Sequence, residues 1–355
     1  VRIHDRYVLG GFWRNIAIGL IAFTVIYITV DINEQVDDYI DKHARIADIA
    51  LYYVFKIPWI LVLIMPVSVL LATVFSLGKL SRQNELTAFI SSGTPLSRVA
   101  FPIIVSSLLV SFAVMAFGEF VIPETNRTSL EIMRVKIEGK KQQETARYRD
   151  NVRYQGEAGR TYYAERYDIT LKALTNVIVN EYRGGKLFRR IDARKALWDG
   201  GRWVFVDGAV REFAGEGEKL TPFEKLPVEE LAERPEDFAE AAIAPEEMNF
   251  RQLREYIAKM ARGGGPVDKY RVDLYFKLSF PFTNLIFAVI GAALASAKRK
   301  PSMATGFGLT LLISFTYYGI LRIGQALGHS GVIAPLFGAW MGNIIFIVIG
   351  GVLLH

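Results

Sequence analysis

The feature that most constrains this chain is a set of apolar runs, three toward each end, each long enough to cross a bilayer. They cover residues 16–30 (extended by Phe12 and Trp13), 58–78, 100–122, 274–297, 304–327 and 332–354. A membrane helix needs about 20 apolar residues to cross roughly 30 Å of hydrocarbon. Inside hydrocarbon every backbone N–H and C=O must find a partner within its own segment, so each run is read as a helix. Residues 124–270 are polar and separate the two blocks. The expected fold is a mixed membrane protein with six transmembrane α-helices, three and three, and a β domain inserted between the third and fourth. Its divisions are 1–123, 124–270 and 271–355.

Charge sets the orientation. Arg2, Arg6 and Arg14 precede or open the first run, whereas the following loop carries Asp31, Glu34, Asp37, Asp38, Asp41 and Asp48 against Lys42, Arg45 and Lys56. Lys and Arg near helix ends stay on the cytoplasmic side. Both termini, residues 79–98 and Lys298-Arg299-Lys300 are therefore expected inside, and the middle domain outside. The first run lacks the short core and A-x-A-like site of a cleavable signal peptide.

Residues 79–99, KLSRQNELTAFISSGTPLSRV, lie between the second and third runs. Lys79, Arg82, Glu85 and Arg98 would each cost several kcal/mol in the bilayer, so the segment is expected on its surface. Leu86, Phe89 and Ile90 fall on one helical face, Gly93 ends the helix, and Pro95 prevents it from resuming. The pattern fits two readings, a solvated loop or a docking helix for a cytoplasmic motor.

In the middle domain, Leu130, Met133 and Ile137 have helical spacing and prolong the third membrane helix. Strand-rich runs follow at 152–154, 161–165, 174–182, 186–197, 203–206, 210–213 and 220–226, with Gly184-Gly185 and Gly200-Gly201 as hairpin turns. Short strands without intervening helices suggest a sandwich or jelly roll. Asn249 and Gln252 form a capping box for a helix carrying Phe250, Leu253, Ile257 and Met260, which ends at a Gly263–Pro266 hinge. Gly324 with Gly328 and Gly338 with Gly342 allow close helix contact.

No catalytic constellation is present. There are no cysteines, which excludes disulfides and thiolate metal sites, and the four histidines have no metal-ligand spacing. Gly78-Lys79 lacks the preceding glycine and following hydroxyl of a P-loop. The net charge of +6 is dispersed, unlike the focused basic face of a nucleic-acid binder. Among ionisable residues in the spans, Arg322 and Glu119 are functional candidates or paired interfacial charges. Arg134 and Lys136 are lipid-phosphate ligands or a solvated face. Tyr162, Val177, Val179, Phe188, Trp203 and Phe205 are candidate groove liners or ordinary sandwich core.

These residues resemble the permease family of the lipopolysaccharide exporter. The resemblance rests on Asp5-Arg6-Tyr7; Leu77-Gly78-Lys79-Leu80, Asn84-Glu85-Leu86 and Ser92-Gly93; Gly118-Glu119 with Pro123; Tyr270, Val272, Leu274, Lys277 and Pro281; and Lys300-Pro301 with Met303. It covers nearly the whole chain, and the N-terminal motif leans to the G-type subunit. It implies a periplasmic β jelly roll, a second homologous permease and a cytoplasmic ATPase dimer that holds ATP and Mg, with no cofactor on this chain. It also implies a coupling helix at about 82–92, in which Glu85 holds the family's glutamate position and Arg82, Leu86 and Phe89 complete the docking surface. Spans one and five would line a cavity that takes lipopolysaccharide from the outer leaflet of the inner membrane. The jelly roll would pass it to a periplasmic bridge of similar folds. The acidic outer end of span one departs from G-type relatives, leaving phosphate contacts to Lys42, Arg45, Arg134, Lys136, Arg322 or the partner permease. The alternative function is a membrane-anchored receptor or scaffold that moves nothing; an intramembrane enzyme is a third.

Overall fold

Helices α1 (Ile3–Asp41) and α2 (Ile46–Arg82) are nearly twice the length a bilayer needs. In this computed structural model the acidic stretch expected as a loop after the first apolar run is helical through Asp41. The reason is local. Gln35 bonds Asp31, Tyr39 bonds Gln35 and Lys42 faces Asp38, all at i,i+4, the spacing at which helical side chains meet. No proline interrupts residues 31–41. The structure describes residues 3–139, 147–156, 159–184, 186–214, 217–229, 231, 233–241, 248–262, 267–295 and 302–354. Lys298-Arg299-Lys300, Pro301 and the Gly263–Pro266 hinge lie outside them.

A short helix, α3 (Glu85–Ser91), leads into α4 (Leu96–Phe120) and, after a turn at Val121, α5 (Ile122–Ile132), which continues as a wider turn over Met133–Ile137. The expected helical extension beyond the third span is therefore present. Toward the other end come α8 (Asp268–Ser279), a tight turn at Phe280–Phe282, α9 (Thr283–Ala295), α10 (Met303–His329) and α11 (Pro335–Leu354). Among the described residues six helical segments are long and apolar enough to span a membrane, with α8 and α9 forming one span. The chain divides into two units, 1–130 with 268–355, and 131–267.

The close helix contacts expected of the glycine pairs are present. A side chain on Gly324 would stand 2.6 Å from the Gly338 carbonyl, and one on Gly328 would strike Val272 at 2.7 Å. Glycine at these positions lets α10 and α11 approach backbone to backbone.

In the second unit six strands, β1 (Tyr148–Gln155), β2 (Arg160–Asp168), β3 (Ala173–Arg183), β4 (Lys186–Asp199), β5 (Arg202–Ala214) and β6 (Gly217–Val228), pair antiparallel in chain order. Gly200 and Gly201 both have positive φ, 57° and 86°, which closes the β4–β5 hairpin in two residues. The inserted antiparallel β domain is as expected. Among the described residues, however, its strands form a single meander, covered on one face by Leu231 and Phe238. Short hairpins leave no strand free to cross over. Buried Tyr162, Val177, Val179, Ile191, Trp203 and Phe205 form that face, and the short helix α6 (Pro235–Ala241) supplies Phe238 against it. The helix α7 (Phe250–Arg262) opens with the expected capping box: Gln252 N–H donates to Asn249 Oδ1 at 2.8 Å, and Asn249 N–H donates to Gln252 Oε1 at 3.0 Å.

Candidate functional site

The elbow between α2 and α4 is built from an abrupt chain reversal. Arg82 closes α2, Asn84 takes φ 61°, and α3 begins at Glu85. A carboxylate in the first turn of a helix is favoured by the exposed N–H groups there. Leu86 turns inward and is buried with Val8, Phe12, Leu80 and Val99, and Phe89 packs on the same cluster. Arg82 and Glu85 stay half-exposed. Of the four predicted docking residues, two are therefore at the surface and two fasten α3 to the helices beneath it. The side chain of Ile90 lies outside the described residues.

An ion pair that the sequence reading missed anchors this elbow. Arg98 at the start of α4 donates from Nη1 and Nη2 to the two oxygens of Asp5 on α1, both at 3.2 Å. Asp5 is buried, and the neighbouring His4 ring lies 5.9 Å from that of Phe89. The start of α1, α3 and the start of α4 are thus joined by polar and apolar contacts together.

The predicted cationic residues fall in separate places. Lys42 and Arg45 are exposed at the α1–α2 turn, with Lys42 3.9 Å from Asp38. Arg322 is exposed on α10 and donates to Gln325 Oε1 at 3.1 Å. Glu119 is half-buried near the end of α4. Arg134 and Lys136 are exposed on the wide turn after α5, and Phe205 is 1% exposed in the sheet core.

Asp31, one of the acidic residues that distinguish the end of the first span, is not an open charge. Lys56 Nζ donates to both its oxygens, at 2.8 and 3.1 Å, and the Tyr53 hydroxyl donates at 2.6 Å. The Lys56 ammonium also faces the rings of Tyr27, Tyr52 and Tyr53 at 5.0–6.0 Å. Pairing with the carboxylate and the ring faces compensates the loss of water around the ammonium.

A second polar network crosses the helices near the break between α8 and α9. The tight turn at Phe280–Phe282 diverts the Thr283 N–H to Phe280, freeing the Ser279 carbonyl. Asn343 Nδ2 on α11 donates to that carbonyl at 2.7 Å, while its Oδ1 accepts from the Tyr317 hydroxyl on α10 at 2.7 Å. Because the Tyr317 proton is committed to Asn343, the Thr283 hydroxyl donates to Tyr317. Only the bare amide of Asn343 in an apolar run signalled this site in the sequence.

The family model described as "Lipopolysaccharide export system permease LptF/LptG" matches residues 6–355. No curated protein matches the chain.

Proposed function

Because the chain belongs to the lipopolysaccharide export permease family LptF/LptG, a family of multi-pass inner-membrane transporter subunits, we propose that it is the G-type permease of an ATP-driven exporter. It draws the glycolipid from the outer leaflet of the inner membrane and passes it to a periplasmic bridge of related β domains. The match over residues 6–355, taking in both membrane blocks and the sheet between them, carries this reading. In it the termini and the α3 elbow face the cytoplasm, and the sheet domain faces the periplasm. A cytoplasmic ATPase dimer, the holder of ATP and Mg, docks at α3 through Arg82 and Glu85. Lys42, Arg45, Arg134, Lys136 and Arg322 supply cationic contacts to the lipid phosphates. A second homologous permease completes the cavity. Its support is the large apolar surface that α1 leaves uncovered, with Ile18, Ile21, Val25 and Ile26 all exposed. Such a surface needs lipid tails or another helix against it.

The test is purification of the tagged chain from its native membrane in mild detergent. A soluble ATPase and a second six-span permease should accompany it in fixed ratio. Recovery without either would favour a membrane-anchored receptor or scaffold.

A further inference from the structure

Two neighbouring tyrosines halfway along α10 each fasten a different helix beside one of its prolines. The Tyr318 hydroxyl donates to the Leu63 carbonyl on α2 at 2.7 Å, three residues before Pro66. A proline inside a helix has no N–H for the carbonyl four residues back, here that of Val62. Its ring also crowds that carbonyl, so the helix bends there. Tyr317 reaches a second break through Asn343, whose amide donates to the Ser279 carbonyl two residues before Pro281. The Tyr317 ring lies 5.0 Å from that of Phe287 on α9 and 5.2 Å from that of Phe346 on α11. Adjacent helical residues point about 100° apart, which lets one turn of α10 hold α2 on one side and α9 with α11 on the other.

Carbonyls within an unbroken helix are taken up by their own chain. A side chain on another helix gains a main-chain acceptor in mid-span where a proline has loosened that ladder. A carbonyl freed in hydrocarbon in turn requires a donor. Phenylalanine would fill the same apolar space as either tyrosine, so packing alone does not call for the two hydroxyls. Their shared property is that both are spent at proline breaks, one directly and one through Asn343.

The two halves of α10 on either side of this pair are held differently. Beyond it, toward His329, the backbone meets that of α11 at Gly324 and Gly338, Gly328 abuts Val272, and His329 Nε2 lies 2.9 Å from Asp273 on α8. Before it, toward Met303, the side-chain bonds of Thr310 and Thr316 turn back to their own helix, and the buried Ser314 hydroxyl has no partner among the described residues. This half rests on α2 through apolar contact: a side chain on Gly306 would stand 3.1 Å from Val74 and 3.7 Å from Phe75. Val74 and Phe75 belong to the stretch of α2 between Pro66 and the α3 elbow. The tyrosines therefore sit where a firmly held half of α10 gives way to one that follows the elbow end of α2.

We propose that Tyr317 and Tyr318 are positioning residues that make the middle of α10 a fulcrum. A push at the α3 elbow bends α2 at Pro66 and carries the Met303 half of α10 with it through Val74 and Gly306. The two hydroxyl bonds stop that motion at mid-helix, so the His329 half keeps its place against α11. The proposal rests on the permease reading for the source of the push, whereas the clasp at the proline breaks stands without it.

The protein contains no cysteine, so spin labels can be placed without background. Leu312→Cys and Ile323→Cys, exposed on the two halves of α10, are each paired with Leu109→Cys, exposed on α4. The full chain, purified with its partners in nanodiscs, is measured by double electron–electron resonance without nucleotide and after trapping with ATP and vanadate. The Leu312 distance should shift by several ångströms and the Ile323 distance should hold. In Tyr317→Phe with Tyr318→Phe both distances should shift, and ATP-driven lipopolysaccharide release should fall several-fold while ATP hydrolysis continues. Tyr318→Phe alone, which leaves the Asn343 network intact, should give the same pattern in weaker form. Equal shifts at both positions in the parent, no shift at either, or an unchanged pattern in the variants overturns the fulcrum. A preparation that lacks an ATPase counts against the permease reading, and the clasp is then read from thermal unfolding. Tyr318→Phe should lower the midpoint in the parent and far less in Pro66→Ala, where the ladder is whole. Equal losses in the two backgrounds overturn the assignment of Tyr318 to the proline break.

Discussion

Arg98 grips Asp5 with two guanidinium nitrogens, so the first helix is tied to the residue that restarts the chain after the α3 elbow. The pair is two-pronged and Asp5 is buried, the circumstances in which a charge-assisted contact is strong. This contact joins α1 to α4, and Phe89 beside His4 joins α1 to α3. Asp5→Ala leaves the Arg98 guanidinium without its carboxylate and should cost about 1–3 kcal/mol. The exchange Asp5→Arg with Arg98→Asp should recover part of that loss. Thermal unfolding of both variants in detergent tests this, and an exchange no better than the single variant would remove the claim that the pair itself matters.

Lys56 and Asp31 should behave as one unit between α1 and α2. Lys56→Met leaves the Asp31 carboxylate with the neutral donors Gln35, Tyr53 and Tyr27 in place of its ammonium partner, at a cost of about 3 kcal/mol for a largely buried pair. Adding Asp31→Asn should restore most of the stability, because two neutral side chains leave no charge to compensate. A double-mutant cycle on the unfolding midpoint measures the coupling. Additive losses would show that the two side chains are energetically independent.

These pairs mark the limit of what the sequence reveals. The apolar runs disclosed six spans because hydrocarbon demands length and composition, which a sequence displays directly. The capping box at Asn249 and the turn at Gly200-Gly201 were legible for a similar reason, each being a contact among near neighbours. Asp5 and Arg98 are 93 residues apart, and nothing local in either segment points to the other. The helical course of residues 31–41 was hidden by its acidity, which resembles a loop until the i,i+4 pairs are known. Residues 231–241 carried only two large apolar side chains, Leu231 and Phe238, and no period from which a covering role could be read. Of the docking residues, the spacing placed Leu86 and Phe89 on one face. Only the packing tells that this face turns inward.

Glu85 begins α3 with its side chain half-exposed and its helix fastened beneath by Leu86. Reversing its charge changes the docking surface without touching the buried contacts. Glu85→Lys should fold normally, with an unfolding midpoint within about 0.5 kcal/mol of the parent, as surface changes usually do. It should lose most ATP-dependent release of lipopolysaccharide from membrane vesicles. Undiminished release by this variant would exclude Glu85 from motor docking.

The contact of α10 with α11 leaves no space at Gly324. A Cβ there stands 2.6 Å from the Gly338 carbonyl and 3.1 Å from Met341, so Gly324→Val must push the two backbones apart. Overpacking of this kind costs about 1–3 kcal/mol. The separation would also stretch the nearby bond from Tyr317 to Asn343. Tyr317→Phe removes that bond and the one accepted from Thr283 without moving the backbones, and should cost about 1 kcal/mol. A ranking in which Gly324→Val is the milder of the two in thermal unfolding would contradict the close packing.

Tyr167 makes the β domain sensitive to alkali. Burial is the main cause that pushes its phenol up to about 12, with the charges of Glu236 and Asp168 adding to it. Burial, and then the charge of Glu233, also raise the Tyr162 phenol well above the usual tyrosine range. An unfolded tyrosine ionises near pH 10. A phenol whose pKa is raised by folding contributes stability that is complete below about pH 10 and is lost as the pH climbs toward 12. The hydroxyl proton lost from Tyr167 is also the one donated to the Pro235 carbonyl, so ionisation removes that bond. Between pH 10 and 12 the domain should therefore lose stability, and Tyr167→Phe should lower the slope of that loss. Tyrosinate absorbance at 295 nm, compared between parent and variant, follows the ionisation directly. Titration of Tyr167 near pH 10 in the folded chain would refute its burial beside Pro235 and Phe238.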